Sequence, residues 1–141
     1  MRIAQQLYEG VNVGTEVTGL ITYMRTDSVN LSNTALGEIM NVVEERYGDR
    51  YTLDKPRRYS SKAKGAQEAH EAIRPTSFVR DPDSLRDVIK DDELRLYRLI
   101  WQRALASQMA PKQMETTSAE LEAGRFGLRA SATRTTFDGF T

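Results

Sequence analysis

The hydrophobic period of this chain changes once, at Pro111, and the change divides it into two kinds of structure. Upstream, Leu94, Tyr97, Trp101, Ala104 and Leu105 recur at helical spacing, and Leu96, Leu99 and Ile100 widen the same face. Only Arg95, Arg98 and Gln102 form a polar stripe. A helix from Asp91 or Asp92 to about Met109 is therefore expected to be mostly buried, with Trp101 as a packing anchor. Proline cannot continue it. Downstream the period is two: Thr117, Ala119, Leu121 and Ala123 alternate with polar residues. Gly124 and Arg125 then turn into Phe126, Leu128, Ala130 and Ala132, the pattern of a β-hairpin. Helices followed by a hairpin give an α+β class, mainly α. Two lone strands would leave unpaired edges, a hazard for association.

Two more helices are legible. Met1 to Glu9 places Ile3, Ala4, Leu7 and Tyr8 on one side and ends at Gly10. Leu31 to Tyr47 has Ser32 as its cap, Leu31 and Leu36 as a hydrophobic staple, and Ala35, Ile39, Val42, Val43 and Tyr47 as its stripe, closed by Gly48. Val11 to Gly19 reads as a loop or small hairpin. Asp49 to Gly65 has neither period and reads as a long basic loop, and Ala66 to Ile73 fits a short helix halted by Pro75. Asp81-Pro82-Asp83 sits in a proline turn and reads as a cap rather than a catalytic carboxylate pair.

With 141 residues, 39% apolar and 28% charged, the chain can bury a core and is expected to be a soluble globular protein. No apolar run approaches the roughly 20 residues that span a bilayer, and no signal-peptide core follows Met1; the expectation is no membrane partner and a cytoplasmic location. The absence of cysteine excludes a disulfide framework and cysteine-ligated zinc in this sequence. Net charge is zero, but Lys55, Arg57, Arg58, Lys62 and Lys64 lie close together with no acid between positions 55 and 65. Such a cluster can bind phosphates on a neutral molecule, and a solvated loop accounts for it equally well.

Chemistry concentrates in Gly19-Leu20-Ile21-Thr22-Tyr23-Met24-Arg25-Thr26-Asp27-Ser28. Leu20 to Tyr23 are strand-formers, and Thr26, Asp27 and Ser28 favour a turn. If the extended geometry reaches Arg25, a phenol and a planar fork of donors share one side, a pairing suited to phosphate. A core tyrosine beside a solvated arginine fits the same triplet. The helix beginning at Ser32 could turn its positive end toward an anion there. In the second rich stretch, Gln67-Glu68-Ala69-His70-Glu71-Ala72-Ile73-Arg74-Pro75, His70 and Arg74 would share the polar face of the short helix.

These two stretches resemble, in order and spacing, the active-site tyrosine and histidine motifs of type IA DNA topoisomerases, and Met24 resembles the bacterial topoisomerase I branch. The likeness covers nearly the whole chain. It implies a helix-turn-helix-like domain related to catabolite activator protein over 1–110, with 111–141 supplying strands of an adjoining arch. It implies Tyr23 as the nucleophile, joined transiently to the 5′ phosphate of one DNA strand, and Arg25 and His70 as catalytic partners. Arg74, Thr26, Asp27, Ser28, Lys62, Lys64, Arg57 and Arg58 are then candidates for DNA binding. A free phenol has a pKa of about 10, so such a nucleophile needs nearby cations and donors. Family members carry a separate TOPRIM domain that holds magnesium. Nothing in this sequence matches it, so no metal ligand is expected here. The implied partners are single-stranded and negatively supercoiled DNA and the missing TOPRIM and arch domains, in a nucleoid-associated protein. The chain alone is expected to be inactive. A non-catalytic helix-turn-helix nucleic-acid-binding module is the other reading.

Overall fold

In the computed structural model, which describes residues 1–60 and 70–141, three helices share one core and a long hairpin projects from it. Helix α1 spans Arg2–Glu9, a short hairpin pairs β1 (Val11–Asn12) with β2 (Val17–Thr18), α2 spans Asn33–Tyr47 and α3 spans Asp91–Ser107. Strands β3 (Gln113–Ala123) and β4 (Phe126–Phe137) pair antiparallel, with Ala123 opposite Phe126 around Gly124 and Arg125. The class is mixed α+β, as the change of period implies.

The helices end where their chemistry says they should. Ala35 N–H donates to the Ser32 hydroxyl at 3.3 Å, and Gly48 takes a positive φ of 83° that a side chain would resist. Ala35, Leu36, Ile39, Val42 and Val43 are buried, whereas Tyr47, expected on the stripe, is half-exposed. Trp101 is an anchor: buried, its indole N–H donates to Phe78 O at 3.0 Å. Tyr97 is sealed beside it and donates to Arg80 O at 2.7 Å. Leu99, placed by periodicity on the apolar face, is instead exposed. Asp81 accepts from Asp83 N–H and caps the 3-10 turn Pro82–Leu85, a structural task for that carboxylate.

Two expectations are corrected. Gly19 to Arg25 is no strand; among the described residues its only ladder contact is an isolated bridge between Ile21 and Pro75. A continuous strand needs a parallel or antiparallel neighbour of similar length, and Pro75 cannot donate to a ladder. The helix expected over Ala66 to Ile73 is absent from its described part: positions 70–73 are irregular, and Ala72 N–H is taken by Asn30 O at 2.7 Å. Ala66 to Ala69 lie outside the described residues, as do Lys62, Lys64 and the end of the basic loop. The start of that loop carries some order, a 3-10 turn over Asp49–Tyr51 and a bridge from Thr52 to Met109.

Helix α1 seats the extended segment that follows the small hairpin. Leu20 N–H donates to Leu7 O at 2.7 Å, and Gly19 lies so close that a Cβ there would stand 2.6 Å from Tyr8 O. That backbone oxygen cannot step aside as a flexible side chain would. Gly19→Ala is expected to cost about 1–3 kcal/mol by forcing the two segments apart. Urea denaturation measures it; a wild-type midpoint would mean that α1 yields freely.

Candidate nucleic-acid cleavage site

Leu20 and Ile21 are buried, Tyr23 is half-buried and Arg25 is exposed, so the segment climbs from the core to the surface within six positions, from 20 to 25. What holds it is Thr22. Its N–H donates to Arg74 O at 2.9 Å and its hydroxyl to Ala72 O at 2.8 Å, while Arg74 N–H donates back to the same hydroxyl at 2.9 Å. Thr76 adds two bonds, N–H to Leu20 O at 3.0 Å and hydroxyl to Gly19 O at 2.8 Å. Two stretches some fifty positions apart are thereby laced together.

The lacing brings the rings of Tyr23 and His70 to 5.3 Å between centroids, tilted by 52°. Tyr8 of α1 meets Tyr23 edge-on at 5.4 Å. The Arg25 guanidinium carbon stands 5.7 Å from the centre of the Tyr23 ring, and its Nε lies 3.8 Å from Asp27 Oδ2. Tyr23, Arg25 and His70, singled out from sequence, are thus assembled in space. The Tyr23 hydroxyl has no hydrogen-bond partner among the described residues, whereas its ring is held on two sides. Asp27 Oδ1 is buried with no partner among them either. Ser28 accepts from Asn30 N–H at 3.3 Å, and Thr26 and Ser28 border a groove of about 540 Å³.

The other candidates are placed differently. Arg74 gives its Nε and Nη2 to Glu71 Oε2 at 3.0 and 2.7 Å and its Nη1 to Pro75 O at 2.8 Å, so each nitrogen of its fork makes a bond within the loop. Arg57 reaches Ser107 O and the Tyr59 hydroxyl, and Arg58 reaches Asn33. Lys62 and Lys64 lie outside the described residues. Among the described residues, no group of three or more His, Asp or Glu stands close enough to hold a metal ion.

Two residues that pattern reading quoted without a role prove central, Thr22 and Glu71. Glu71 Oε1 accepts from Ser32 N–H at 2.8 Å, tying the histidine loop to the cap of α2 while Oε2 holds Arg74. Burial pushes this carboxyl up, but the hydrogen bonds from Ser32 and Arg74 outweigh it and hold the pKa below the usual glutamate range. Its folded value being depressed, its stabilisation is complete above the unfolded pKa of about 4.3 and drains away as pH falls through the folded one. Glu71→Ala is expected to lose about 1.5–3 kcal/mol at pH 7 and much less near pH 3. Urea titrations at both values test it, and an equal deficit at each would rule out the ionised carboxylate as the cause.

A family model describing DNA topoisomerases matches residues 1–141. The chain is similar to the DNA topoisomerase 1 of Rickettsia felis, 49% identical over 142 aligned positions, and to that of Xylella fastidiosa, 51% identical. Each alignment covers 99% of this chain, which spans only 18% and 17% of the two relatives. The solved full-length topoisomerase I of Thermotoga maritima superposes with a TM-score of 0.81 at 39% identity, over 99% of this chain and 22% of that one. No helix among the described residues is long and apolar enough to cross a membrane. With both motifs laced into one site and the match running from end to end, the chain belongs to the bacterial type IA DNA topoisomerase family.

Proposed function

We propose that this chain supplies the nucleophile half of a composite cleavage site that relaxes negatively supercoiled DNA. In this reading the Tyr23 oxygen attacks a backbone phosphorus, the bond from phosphorus to the 3′ oxygen breaks, and the 5′ phosphate is left on the tyrosine. The phenolic proton is lost and the departing 3′ oxygen gains one. Since one phosphoester replaces another, resealing needs no ATP, and the complementary strand passes while the gap is open. Arg25 offers donors and charge to the phosphate, and His70 offers a second donor beside the same ring. Thr26, Asp27 and Ser28 shape the turn, and Arg57, Arg58, Lys62 and Lys64 hold flanking phosphates. Arg74 is proposed to brace the loop through Glu71 rather than to touch DNA.

The observation that carries the reading is the approach of His70 and Arg25 to within 5.3 and 5.7 Å of the Tyr23 ring. Positions 1–110 would form the tyrosine domain, with α2 and α3 in a helix-turn-helix-like core, and 111–141 would join the arch. Magnesium would be held by a TOPRIM domain elsewhere in the polypeptide, so the chain alone would be inactive. The working place would be the nucleoid.

Denaturant trapping tests this. With the TOPRIM and arch domains restored, magnesium and negatively supercoiled DNA supplied, a covalent nucleotide should map to the peptide containing Tyr23. The 141-residue chain by itself should give none. Adduct on another residue would overturn the reading, and DNA retention without any adduct would favour a binding module.

A further inference from the structure

Several arginines form no ion pair among the described residues, and three of them, Arg57, Arg58 and Arg103, line adjoining grooves. Arg25, Arg46 and Arg98 face Asp27, Asp81 and Asp83. Arg57 instead donates to Ser107 O at 3.3 Å and the Tyr59 hydroxyl at 3.5 Å, and Arg58 to Asn33 Oδ1 at 2.5 Å, all neutral acceptors. Arg103 has no acceptor among the described residues. Among the described residues no carboxylate pairs with any of the three.

Each of the three shares a groove with Tyr59, which is 43% exposed and whose hydroxyl donates to Ser107 O at 3.0 Å. Tyr59 borders three grooves at once. The largest, about 880 Å³, also has Arg57, Arg103, Tyr47 and Phe140 on its walls. A smaller one of about 190 Å³ has Arg57 and Arg58. The third, about 540 Å³, has Arg103 and reaches Thr26 and Ser28, just past Tyr23. Among the described residues, the one side-chain carboxylate on these walls is Asp138, and the Tyr51 hydroxyl already donates to it at 2.8 Å. Tyr47 and Phe140 are 44% and 48% exposed, so aromatic surface and guanidinium groups share the walls of one groove.

That combination fits a flexible polyanion with flat apolar units. Every base has a face that an aromatic ring can stack on, and guanidinium forks match phosphate oxygens. We propose that this surface is a binding track for single-stranded nucleic acid, with a base stacked on Tyr59 and phosphates held by Arg57, Arg58 and Arg103. The track runs from the foot of the β3–β4 hairpin to the turn behind Tyr23. It rests on the nucleic-acid part of the reading above and not on cleavage.

The test uses the 141-residue chain without magnesium and a fluorescein-labelled oligothymidylate of about 12 nucleotides, within the site sizes such grooves hold. Tyr59→Ala should weaken binding about 5- to 150-fold, the loss of one stacked base, with no change in salt dependence. Tyr59→Phe should stay within about twofold of wild type, since the ring is kept. Arg103→Gln, on the exposed side of α3, should lower the slope of log affinity against log salt by about 0.7. An oligonucleotide carrying 5-iodouracil should photo-crosslink to Tyr59. Undiminished affinity in a folded Tyr59→Ala protein, or a crosslink only at other positions, would overturn the track. Displacement by polyglutamate as effective as by oligothymidylate would do the same. If Tyr59→Ala does not fold, an unchanged slope in Arg103→Gln decides against it. The assay contains no magnesium and reads no covalent adduct, so failure of the cleavage chemistry and failure of the track are separately visible.

Discussion

Tyr23→Phe is expected to abolish the covalent DNA adduct completely while leaving the folded state intact. The hydroxyl makes no hydrogen bond among the described residues, and the ring contacts with Tyr8 and His70 need only carbon. Removing an uncommitted oxygen at a half-exposed position should change stability by less than about 0.5 kcal/mol. Chemistry, by contrast, loses its attacking atom. Denaturant trapping on supercoiled DNA with the full domain set reads the first quantity, and urea denaturation of the chain reads the second. Surviving adduct in the variant would remove Tyr23 as nucleophile. A large drop in stability would show that the oxygen was structural.

Arg25→Lys is the second large effect, an expected loss of about 10²- to 10³-fold in the single-turnover cleavage rate. Arginine presents a fixed planar fork, whereas lysine keeps the charge as a compact point on a flexible stem. In the structure Arg25 lies against the Tyr23 ring and its Nε is loosely oriented by Asp27 at 3.8 Å, leaving the outer nitrogens to reach a phosphate. With the charge retained, equilibrium affinity for DNA should change little. The signature is therefore a rate defect without a binding defect. Wild-type cleavage in the lysine variant would place Arg25 outside the chemistry, and a parallel loss of affinity would recast it as a binding residue.

Local chemistry was readable ahead of the structure, and long-range pairing was not. Ser32, Gly48 and the Gly124-Arg125 turn announce their elements because a cap or turn involves residues within a few positions. Trp101 was readable as an anchor from its place on the apolar stripe, although α3, expected to be mostly buried, buries only Glu93, Tyr97, Trp101 and Leu105. The tyrosine segment misled for the opposite reason. Its residues prefer strands, but a strand is made by its neighbour, and here that neighbour is a proline-bearing irregular stretch. The same stretch was expected to be helical near His70, yet its amides and carbonyls go to Thr22 and Asn30. Arg74, a candidate for DNA contact, is held by Glu71 three positions away, a partner visible in the sequence but given no role. The contacts joining Tyr23 to His70 span almost fifty positions, and no pattern within either stretch encodes them. Family likeness carried that link.

The β3–β4 hairpin is exposed along both faces and is fastened near its base, where Phe137 packs against Tyr51 at 4.8 Å and Asp138 accepts from the same tyrosine. A ladder of that length extends about 33 Å at the usual rise per residue, so a tilt of about 10° at the aromatic knot carries its tip through about 6 Å. Leverage of this kind turns a slight repacking around one phenol into a displacement several times larger at the far end.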